Sequence, residues 1–263
     1  MSLTQAFKYH DGQLFCEDTP LSSVAKKYGT PCYVYSKKAL LGNFRYFSRT
    51  FASSDPLICY AVKANSNLSI LRLLKAEGSG FDVVSAGELH RLKKIDADPK
   101  KIIFSGVGKT PEELSLALEM SLLSINVESY QELKTLVDLA NQTQKTAQIS
   151  LRINPEVNAK THPYIATGFR QHKFGLDVNS LERITNLLRG SKKVRLTGIG
   201  FHIGSQILDV EPFLDAFQKL EKIATLLRDQ SFEITHLDLG GGIGIPYADE
   251  SEPDLQTYAD FLE

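Results

Sequence analysis

The chain has 263 residues, 42% of them hydrophobic, which is enough for one large domain or for a barrel with part of a second domain. Its 30 basic and 31 acidic side chains give a net charge of -1, so no global field attracts nucleic acid or an anionic membrane surface. We therefore expect a small molecule as its partner.

Cysteine use and hydropathy point to the compartment. Cys16, Cys32 and Cys59 are odd in number and lack CxxC spacing, which fits a reducing cytoplasm better than a disulfide framework or a zinc site. No apolar run approaches the roughly 20 residues needed to span a bilayer, and the start of the chain lacks a basic-then-apolar secretion signal. We expect a soluble, cytoplasmic protein with no membrane partner.

Short apolar or β-branched runs alternate with longer stretches of helical period, which is typical of βα units around a parallel sheet. The predicted strands are Leu57–Lys63, Gly80–Val84, Lys101–Ser105, Leu122–Val127, Gln148–Asn154, Leu196–His202 and Ile234–Leu239. The predicted helices include Leu68–Glu77, Pro111–Leu118, Tyr130–Ala140 and Pro212–Arg228. This pattern predicts an α/β fold, a (β/α)8 TIM-type barrel with seven of its eight strands present.

The two ends of the chain depart from the βα rhythm. Residues 252–263 predict the start of a helix, and no eighth strand follows, so we expect the sequence to be incomplete. Near the other end, Phe15–Pro20 predicts a turn and Pro31–Tyr35 an isolated strand. We therefore assign residues 1–36 to a β-sandwich domain that is otherwise missing, and residues 37–263 to the incomplete barrel.

A lysine stands at the end of the first barrel strand, in the segment Tyr60–Asn65. Catalytic groups in such barrels lie at the carboxyl ends of strands. An ordinary solvated lysine is the commoner explanation for any single lysine, so placement alone is weak. A partly buried amine can lose its proton and form a Schiff base with an aldehyde cofactor, and we expect this of Lys63.

The seventh strand runs into three successive glycines within Asp238–Gly244. Glycines let backbone N–H groups wrap a phosphate, and barrels commonly bind phosphate near strands seven and eight. The same glycines could simply make a tight turn. They fail the dinucleotide-binding fingerprint, because the third glycine of that pattern would fall at Ile245.

Two further strands bring polar groups to the opening of the predicted barrel at the carboxyl ends of its strands, which we call the mouth. At the end of the sixth strand, His202 could stack on a flat ring and Ser205 could donate a hydrogen bond to phosphate. On the fifth, Arg152 could pair with a cofactor oxygen or a carboxylate, or with a nearby acid such as Asp82. A lone histidine is more often structural, so the case depends on convergence at one mouth.

Two other site classes are excluded. The segment Gly108–Thr110 resembles the end of a P-loop, but the glycine required five positions earlier is Ile103, so we exclude an ATPase. The six histidines form no HExxH or other metal-ligand spacing, so we expect no metal.

Taken in order, Tyr60–Asn65, Phe201–Gln206 and Asp238–Gly244 resemble the fold-type III pyridoxal 5'-phosphate (PLP) enzymes, which include alanine racemase and several amino-acid decarboxylases. Within that group, Asn158–Gly168 followed by Lys173–Gly175, and the opening Gly29–Tyr35, are similar to the diaminopimelate decarboxylases. The resemblance covers nearly the whole chain and implies an alanine-racemase-like PLP-binding barrel.

The resemblance also implies roles for individual residues. Lys63 would hold PLP covalently and His202 would stack on its ring, while Asp82 and Arg152 would be supporting residues near the cofactor. The residues implied to contact the phosphate are Ser205, Gly240, Gly241 and Gly242.

The activity implied is decarboxylation of the amino acid meso-2,6-diaminopimelate to L-lysine and CO2, by a homodimer with shared active sites. A related arginine or ornithine decarboxylase, or a non-catalytic PLP-barrel paralogue, are the alternatives. The family's Glu-Pro-Gly-Arg and Cys-Glu segments and a β-domain tyrosine do not occur after Tyr247. We expect full activity only from a chain that carries them, because the carboxylate that protonates the pyridine ring makes it an effective electron sink.

Overall fold

The computed structural model describes residues 6–157 and 174–262. A small antiparallel sheet comes first, followed by helix α1 (Leu21–Tyr28). Its strands are β1 (Phe7–His10), β2 (Gln13–Cys16) and β3 (Thr19–Pro20). The turn expected over Phe15–Pro20 is therefore confined to Glu17 and Asp18, because the residues on either side pair as strands.

The strand predicted at Pro31–Tyr35 is wrong. These residues pair with no strand in the described chain, and Tyr33 is 91% exposed. Their β propensity has no effect here because it depends on packing against cross-strand neighbours. The division into residues 1–36 and 37–263 stays a prediction.

The seven predicted barrel strands are confirmed as one parallel sheet in which each strand pairs with the next one along the chain. They are β4 (Cys59–Ala61), β5 (Gly80–Val83), β6 (Ile102–Phe104), β7 (Ser124–Val127), β8 (Ala147–Arg152), β9 (Val194–Gly200) and β10 (His236–Asp238). The first of them ends earlier than predicted, because Val62–Ala64 form a 3-10 turn.

In the described chain one α-helix directly precedes the sheet and one follows each of its seven strands, and these helices bury apolar residues in the core. They are α2 (Lys37–Thr50), α3 (Leu68–Ala76), α4 (Ala86–Lys94), α5 (Pro111–Met120), α6 (Tyr130–Thr143), α7 (Leu181–Arg189), α8 (Glu211–Asp229) and α9 (Leu255–Phe261). The core between the layers includes the fully buried rings of Phe81, Phe104 and Phe201. None of the helices in the described ranges has both the length and the apolar composition needed to cross a bilayer.

Two of the strand-to-helix loops are very short, and this fixes the groups that they carry. Ser85 and Ser129 cap α4 and α6, each accepting the backbone N–H of the glutamate three residues later. Only Val84 separates β5 from its cap, and only Glu128 separates β7 from its cap. A side chain in such a loop has little freedom to move away from the strand end.

The sheet is curled, so that strands far apart in its order meet at their carboxyl ends. The amide Nδ2 of Asn126 on β7 donates to Oδ2 of Asp238 on β10 at 2.8 Å. Burial, followed by the charges of Asp238 and Asp82, raises the pKa of Cys59 on β4 to about 12. Lys63, just after β4, and Asp238 on β10 both lie close enough to Asp82 to shift the pKa of its carboxyl, so the two edge strands end at one shared mouth.

Glycines on β9 make room for the side chains of β10. A Cβ added to Gly198 would lie 2.1 Å from Nε2 of His236, and one added to Gly200 would lie 2.5 Å from Cβ of Asp238 and 2.6 Å from its backbone oxygen. The second contact involves backbone, so it can be relieved only by moving a strand.

We expect Gly200→Ala to destabilise the intact protein by about 1–3 kcal/mol, the usual cost of overpacking. Urea unfolding checks this, with Gly87→Ala on α4 as the matched control, because its nearest neighbour would be Oγ of Ser85 at 3.8 Å. The control should keep or slightly raise the unfolding midpoint, since alanine is the better helix former. A Gly200→Ala protein as stable as the wild type would contradict the packing argument.

Candidate functional site

Lys63 lies at the mouth, immediately after β4 in the 3-10 turn. Its side chain is exposed, so the expected partial burial is wrong for the described chain. The reason is its place just after β4, an edge strand with no described neighbour on its outer side. Within the described residues its ammonium donates no hydrogen bond, which leaves the amine accessible to a ligand.

Asp82 on β5 is a half-buried acid that lies beyond ion-pair distance of this lysine but close enough to be affected by its charge. Burial raises the pKa of its carboxyl to about 6, and the charge of Asp238 adds to the effect, while a hydrogen bond with Ser105 and the charge of Lys63 oppose it. Its buried Oδ1 has no hydrogen-bond partner in the described chain. A buried carboxylate oxygen of this kind needs a partner, which a ligand or water at the mouth can supply.

Arg152 ends β8 and pairs with Glu128, not with Asp82 as one sequence alternative had it. Nη1 of the guanidinium donates to Oε2 of Glu128 at 2.6 Å. The ring of Phe174 lies on another side, with its centroid 5.7 Å from Cζ. Asp82 is not the partner because Glu128, in the loop after the neighbouring strand β7, lies closer.

His202 follows β9 and is held as a neutral ring. Its Nδ1 accepts the backbone N–H of Gly241 at 3.4 Å, which places the ring proton on Nε2. Burial, followed by the charges of Arg152 and Lys63, lowers the pKa of His202 to about 4. A flat, uncharged ring at the mouth is suited to stacking on a planar ligand.

The segments after β9 and β10 lie side by side. Ile207 donates its N–H to the carbonyl of Gly242 at 2.9 Å, and Gly244 donates to the carbonyl of Ile207 at 2.8 Å. Ser205, in the first segment, has an exposed side chain. Within the described residues the backbone N–H groups of Gly204, Ser205 and Gly242 donate no hydrogen bond, so they can serve an anion.

The three successive glycines are not equivalent. Gly240 and Gly242 have φ of 68° and 97°, and an added Cβ would lie 2.3 Å and 1.9 Å from the carbonyl oxygens of Phe201 and Gly204. The tight-turn explanation therefore accounts for these two. A Cβ on Gly241 would meet nothing within 4 Å. The middle glycine instead borders open space, which a ligand group can occupy.

Sequence reasoning missed part of the polar lining. Asn126 contacts both Ser105, at 3.2 Å, and Asp238, whose Oδ1 also accepts the N–H of Gly240 at 2.9 Å. Glu128 was also missed. These four residues lie on or just after barrel strands: Ser105, Asn126, Glu128 and Asp238. The position of a polar residue at a strand end was therefore the available signal.

The P-loop-like segment Gly108–Thr110 has a structural role in the described chain. Lys109, in the segment that resembles a P-loop, has a side chain with no exposed surface that donates to protein oxygens, so it holds loops together and does not face a ligand. Part of the family resemblance depends on Asn158–Gly168 and Lys173, which lie outside the described residues.

The geometry fits PLP. An accessible lysine amine suits its aldehyde, a neutral imidazole suits its ring, and open space at Gly241 with unpaired N–H groups suits its phosphate. Lys63, His202 and the glycine segment lie at the same mouth, as the sequence analysis expected.

Comparison with known proteins agrees with this geometry. Residues 38–263 match the family model described as "Pyridoxal-dependent decarboxylase, pyridoxal binding domain". The diaminopimelate decarboxylase of Vibrio cholerae is 46% identical over 257 residues, covering 97% of this chain and 62% of the relative. That of Haemophilus influenzae is 43% identical over 256 residues, with the same coverage of 97% and 62%. The chain thus spans about three fifths of the length of these relatives.

Solved structures show the same fold. The diaminopimelate decarboxylase of M. jannaschii in complex with L-lysine has a TM-score of 0.89 at 37% identity, covering 98% of this chain and 61% of that one. The Helicobacter pylori enzyme, also complexed with L-lysine, has a TM-score of 0.87 at 41% identity, covering 92% and 61%. The predictions of a barrel fold and of PLP as the cofactor are confirmed. This chain belongs to the family of pyridoxal-dependent decarboxylases, and residues 38–263 match its pyridoxal-binding domain.

Proposed function

We propose that the intact protein is a PLP-dependent decarboxylase that converts meso-2,6-diaminopimelate to L-lysine and CO2, the last step of lysine biosynthesis. The observation that carries the proposal is the 43–46% identity, over 97% of the chain, to proteins named diaminopimelate decarboxylase. The reaction consumes one proton: the bond from the α-carbon to one carboxylate breaks, CO2 leaves, and the proton takes its place on that carbon.

Within this proposal each residue at the mouth has one task. Lys63 attaches the cofactor, and its exposed amine supports this role. His202 supports the ring face, and Arg152 and Asp82 bind polar groups of cofactor or substrate. The residues proposed to hold the phosphate are Ser205, Gly240, Gly241 and Gly242.

Bound PLP supplies the conjugated ring that accepts the electron pair released when CO2 departs. The chain's own contribution is to orient groups. A neutral His202 can lie against the ring without adding charge, and the pairing of Arg152 with Glu128 fixes the direction of the guanidinium. Such positioning lowers the barrier because the reacting groups no longer lose freedom during the reaction.

The relatives support diaminopimelate as the substrate over the alternative substrates arginine and ornithine. Two solved relatives are described as complexes with L-lysine, which is the product of the proposed reaction. The relatives compared above carry the diaminopimelate name, so they do not favour an arginine or ornithine decarboxylase. Retention of Lys63 and His202 argues against a non-catalytic paralogue.

Several features of the whole protein belong to the same proposal. We place it in the cytoplasm, where its three free cysteines would stay reduced. It would act as a homodimer with active sites shared between subunits. Residues 1–36 would belong to a β domain and residues 37–263 to the barrel.

Replacing Lys63 with alanine should abolish covalent retention of PLP, because it removes the amine at the mouth. Borohydride reduction followed by peptide mass spectrometry should find the cofactor on the peptide of Lys63 in the wild type and nowhere in Lys63→Ala. Turnover should fall by at least about a thousandfold, which corresponds to about 4 kcal/mol of barrier. Lys94→Ala, on the exposed surface of α4, is the control and should behave as the wild type. Cofactor fixed to another lysine in Lys63→Ala would remove the proposed role.

Replacing Gly241 with valine should weaken PLP binding by about tenfold or more, because the added side chain occupies the space proposed for the phosphate. The fold should stay intact, because that space holds no protein atom within 4 Å. The cofactor dissociation constant and the urea midpoint are measured together on the intact protein. Gly42→Val, at an equally open glycine on α2, controls for the substitution itself. Gly242→Val should instead lose stability, since its Cβ collides with backbone. Wild-type PLP affinity in a folded Gly241→Val protein would leave only the turn explanation for this glycine.

The intact protein should prefer meso-2,6-diaminopimelate strongly over arginine and ornithine. The distal end of this substrate carries both an ammonium and a carboxylate, and a site built for both leaves buried partners unpaired when the carboxylate is missing. We expect kcat/KM ratios of about a thousandfold or more, since such sites can reject analogues by about 10⁴. Comparable turnover of ornithine or arginine would overturn the proposed substrate but leave the PLP site unaffected, because Lys63, His202 and Gly240–Gly242 serve the cofactor and do not contact the distal end of the substrate.

A further inference from the structure

The ion pair between Arg152 and Glu128 is asymmetric in its exposure. The side chain of Glu128 is 1% exposed, whereas that of Arg152 is 17% exposed. The carboxylate is therefore the buried, fixed partner, and the guanidinium is the partner that reaches toward the mouth. Among the described residues, Nη1 is the one guanidinium nitrogen that donates a hydrogen bond, so the remaining N–H groups are available to a ligand.

Glu128 is held at three points. Oε2 accepts from Arg152 at 2.6 Å, and Oε1 accepts the backbone N–H of Gly106 at 2.7 Å. Its own N–H donates to Oε2 of Glu132 at 3.1 Å. Because Glu128 also lies in the single-residue loop between β7 and the cap of α6, its carboxylate has one available position.

A second buried pair fixes the surroundings of Glu128. Nζ of Lys109 donates at 2.7 Å to Oε1 of Glu132, to the carbonyl of Gly106 and to that of Asn126. These three hydrogen bonds use all the protons of an ammonium that has no exposed side-chain surface. They join the loop after β6, the end of β7 and the start of α6, which are the elements that contact Glu128.

Arg152 acts on the mouth from this anchored position. Its charge is one of the causes, after burial, of the lowered pKa of His202. The guanidinium therefore lies close enough to affect the imidazole that is proposed to face the cofactor ring. An arginine bound on one side to a fixed carboxylate presents its other donors in a defined direction, because the guanidinium is planar and rigid.

We propose that Glu128 is a positioning residue that fixes Arg152 so that the free side of its guanidinium binds an oxygen of the bound cofactor. The inference rests on the proposed function for the presence of PLP, but not for the identity of the substrate. Glu128 itself touches neither cofactor nor substrate in this scheme and acts only through Arg152.

The length and charge of Glu128 are both required by this role. Aspartate keeps the charge but withdraws the carboxylate by one methylene group, so it cannot hold Gly106 and Arg152 at the same time. Glutamine keeps the length but loses the charge and replaces an acceptor with a donor that faces either an N–H or a guanidinium. Removing one partner of a buried ion pair also leaves the other charge uncompensated.

The test is a double-mutant cycle on the intact protein with Glu128→Gln and Arg152→Gln, with the PLP dissociation constant as the readout. Glu128→Gln should weaken PLP binding by about tenfold, and Arg152→Gln by at least as much. If Glu128 acts through Arg152, adding Glu128→Gln to Arg152→Gln should change the dissociation constant by less than about twofold, because the effects of contacting residues are not additive. Equal fold-changes in both backgrounds would overturn the proposal, as would wild-type affinity in Glu128→Gln.

Urea unfolding of the apoprotein separates positioning from folding. Glu128→Gln should lower the midpoint, and the double variant should recover part of that loss, because it leaves no unpaired buried charge. Glu128→Asp covers the case in which Glu128→Gln does not fold: it should remain folded and still bind PLP several-fold more weakly. Wild-type affinity in folded Glu128→Asp would overturn the proposal.

A matched control is available at the other end of the sheet. The exposed Arg45 and the half-buried Glu77 form a pair in which Nε and Oε2 are also 2.6 Å apart, and Glu77 lies just before the amino end of β5. Glu77→Gln should leave PLP binding unchanged. The substrate assay is independent of the cycle: a wild type that binds PLP but does not decarboxylate diaminopimelate overturns the proposed function, whereas the PLP cycle still decides the role of Glu128.

Discussion

The hydrogen bond between Asn126 and Asp238 joins β7 to β10, across a sheet in which two other strands lie between them. It forms only because the sheet is curled, and its consequences reach the site directly. The other carboxylate oxygen of Asp238 accepts the N–H of Gly240, so the same side chain sets the start of the glycine segment. A hydrogen bond between two barrel strands therefore fixes the carboxylate that positions the glycine segment at the mouth.

Charge at this mouth is controlled by burial and pairing. Arg152 and Lys109 are neutralised by glutamates at 2.6 Å and 2.7 Å, whereas Lys63 has no carboxylate within ion-pair distance in the described chain. The positive charges nearby help to keep His202 neutral, and burial brings the carboxyl of Asp82 close to half protonation near pH 6. The site thus combines a neutral ring, a fixed cation and an acid that changes charge near pH 6.

Much of the barrel could be predicted from the sequence, because parallel strands buried on both faces are continuous apolar runs and βα units alternate regularly. The convergence of Lys63, His202 and the glycine segment followed from the rule that strand ends share one edge. What could not be predicted depends on side-chain packing in three dimensions. Nothing in the sequence favours Glu128 over Asp82 as the partner of Arg152, and the different needs of the three glycines depend on which backbone atoms approach each one.

The β-strand prediction at Pro31–Tyr35 failed for a related reason, since strand propensity takes effect only with a neighbouring strand. The turn predicted over Phe15–Pro20 contains residues of β2 and β3, because Glu17, with a φ of 55°, lets the chain reverse within two residues so that the flanking residues can pair.

Lys63 and Lys109 both follow a strand of the same sheet, yet they present opposite chemistry to solvent. All three protons of the Lys109 ammonium are engaged and its side chain has no exposed surface, so its nitrogen cannot act as a nucleophile without unfolding of the surrounding loops. The Lys63 amine is open to any electrophile of suitable size that enters the mouth. Amine-directed acylating reagents would therefore distinguish two lysines that differ little in their position relative to the barrel.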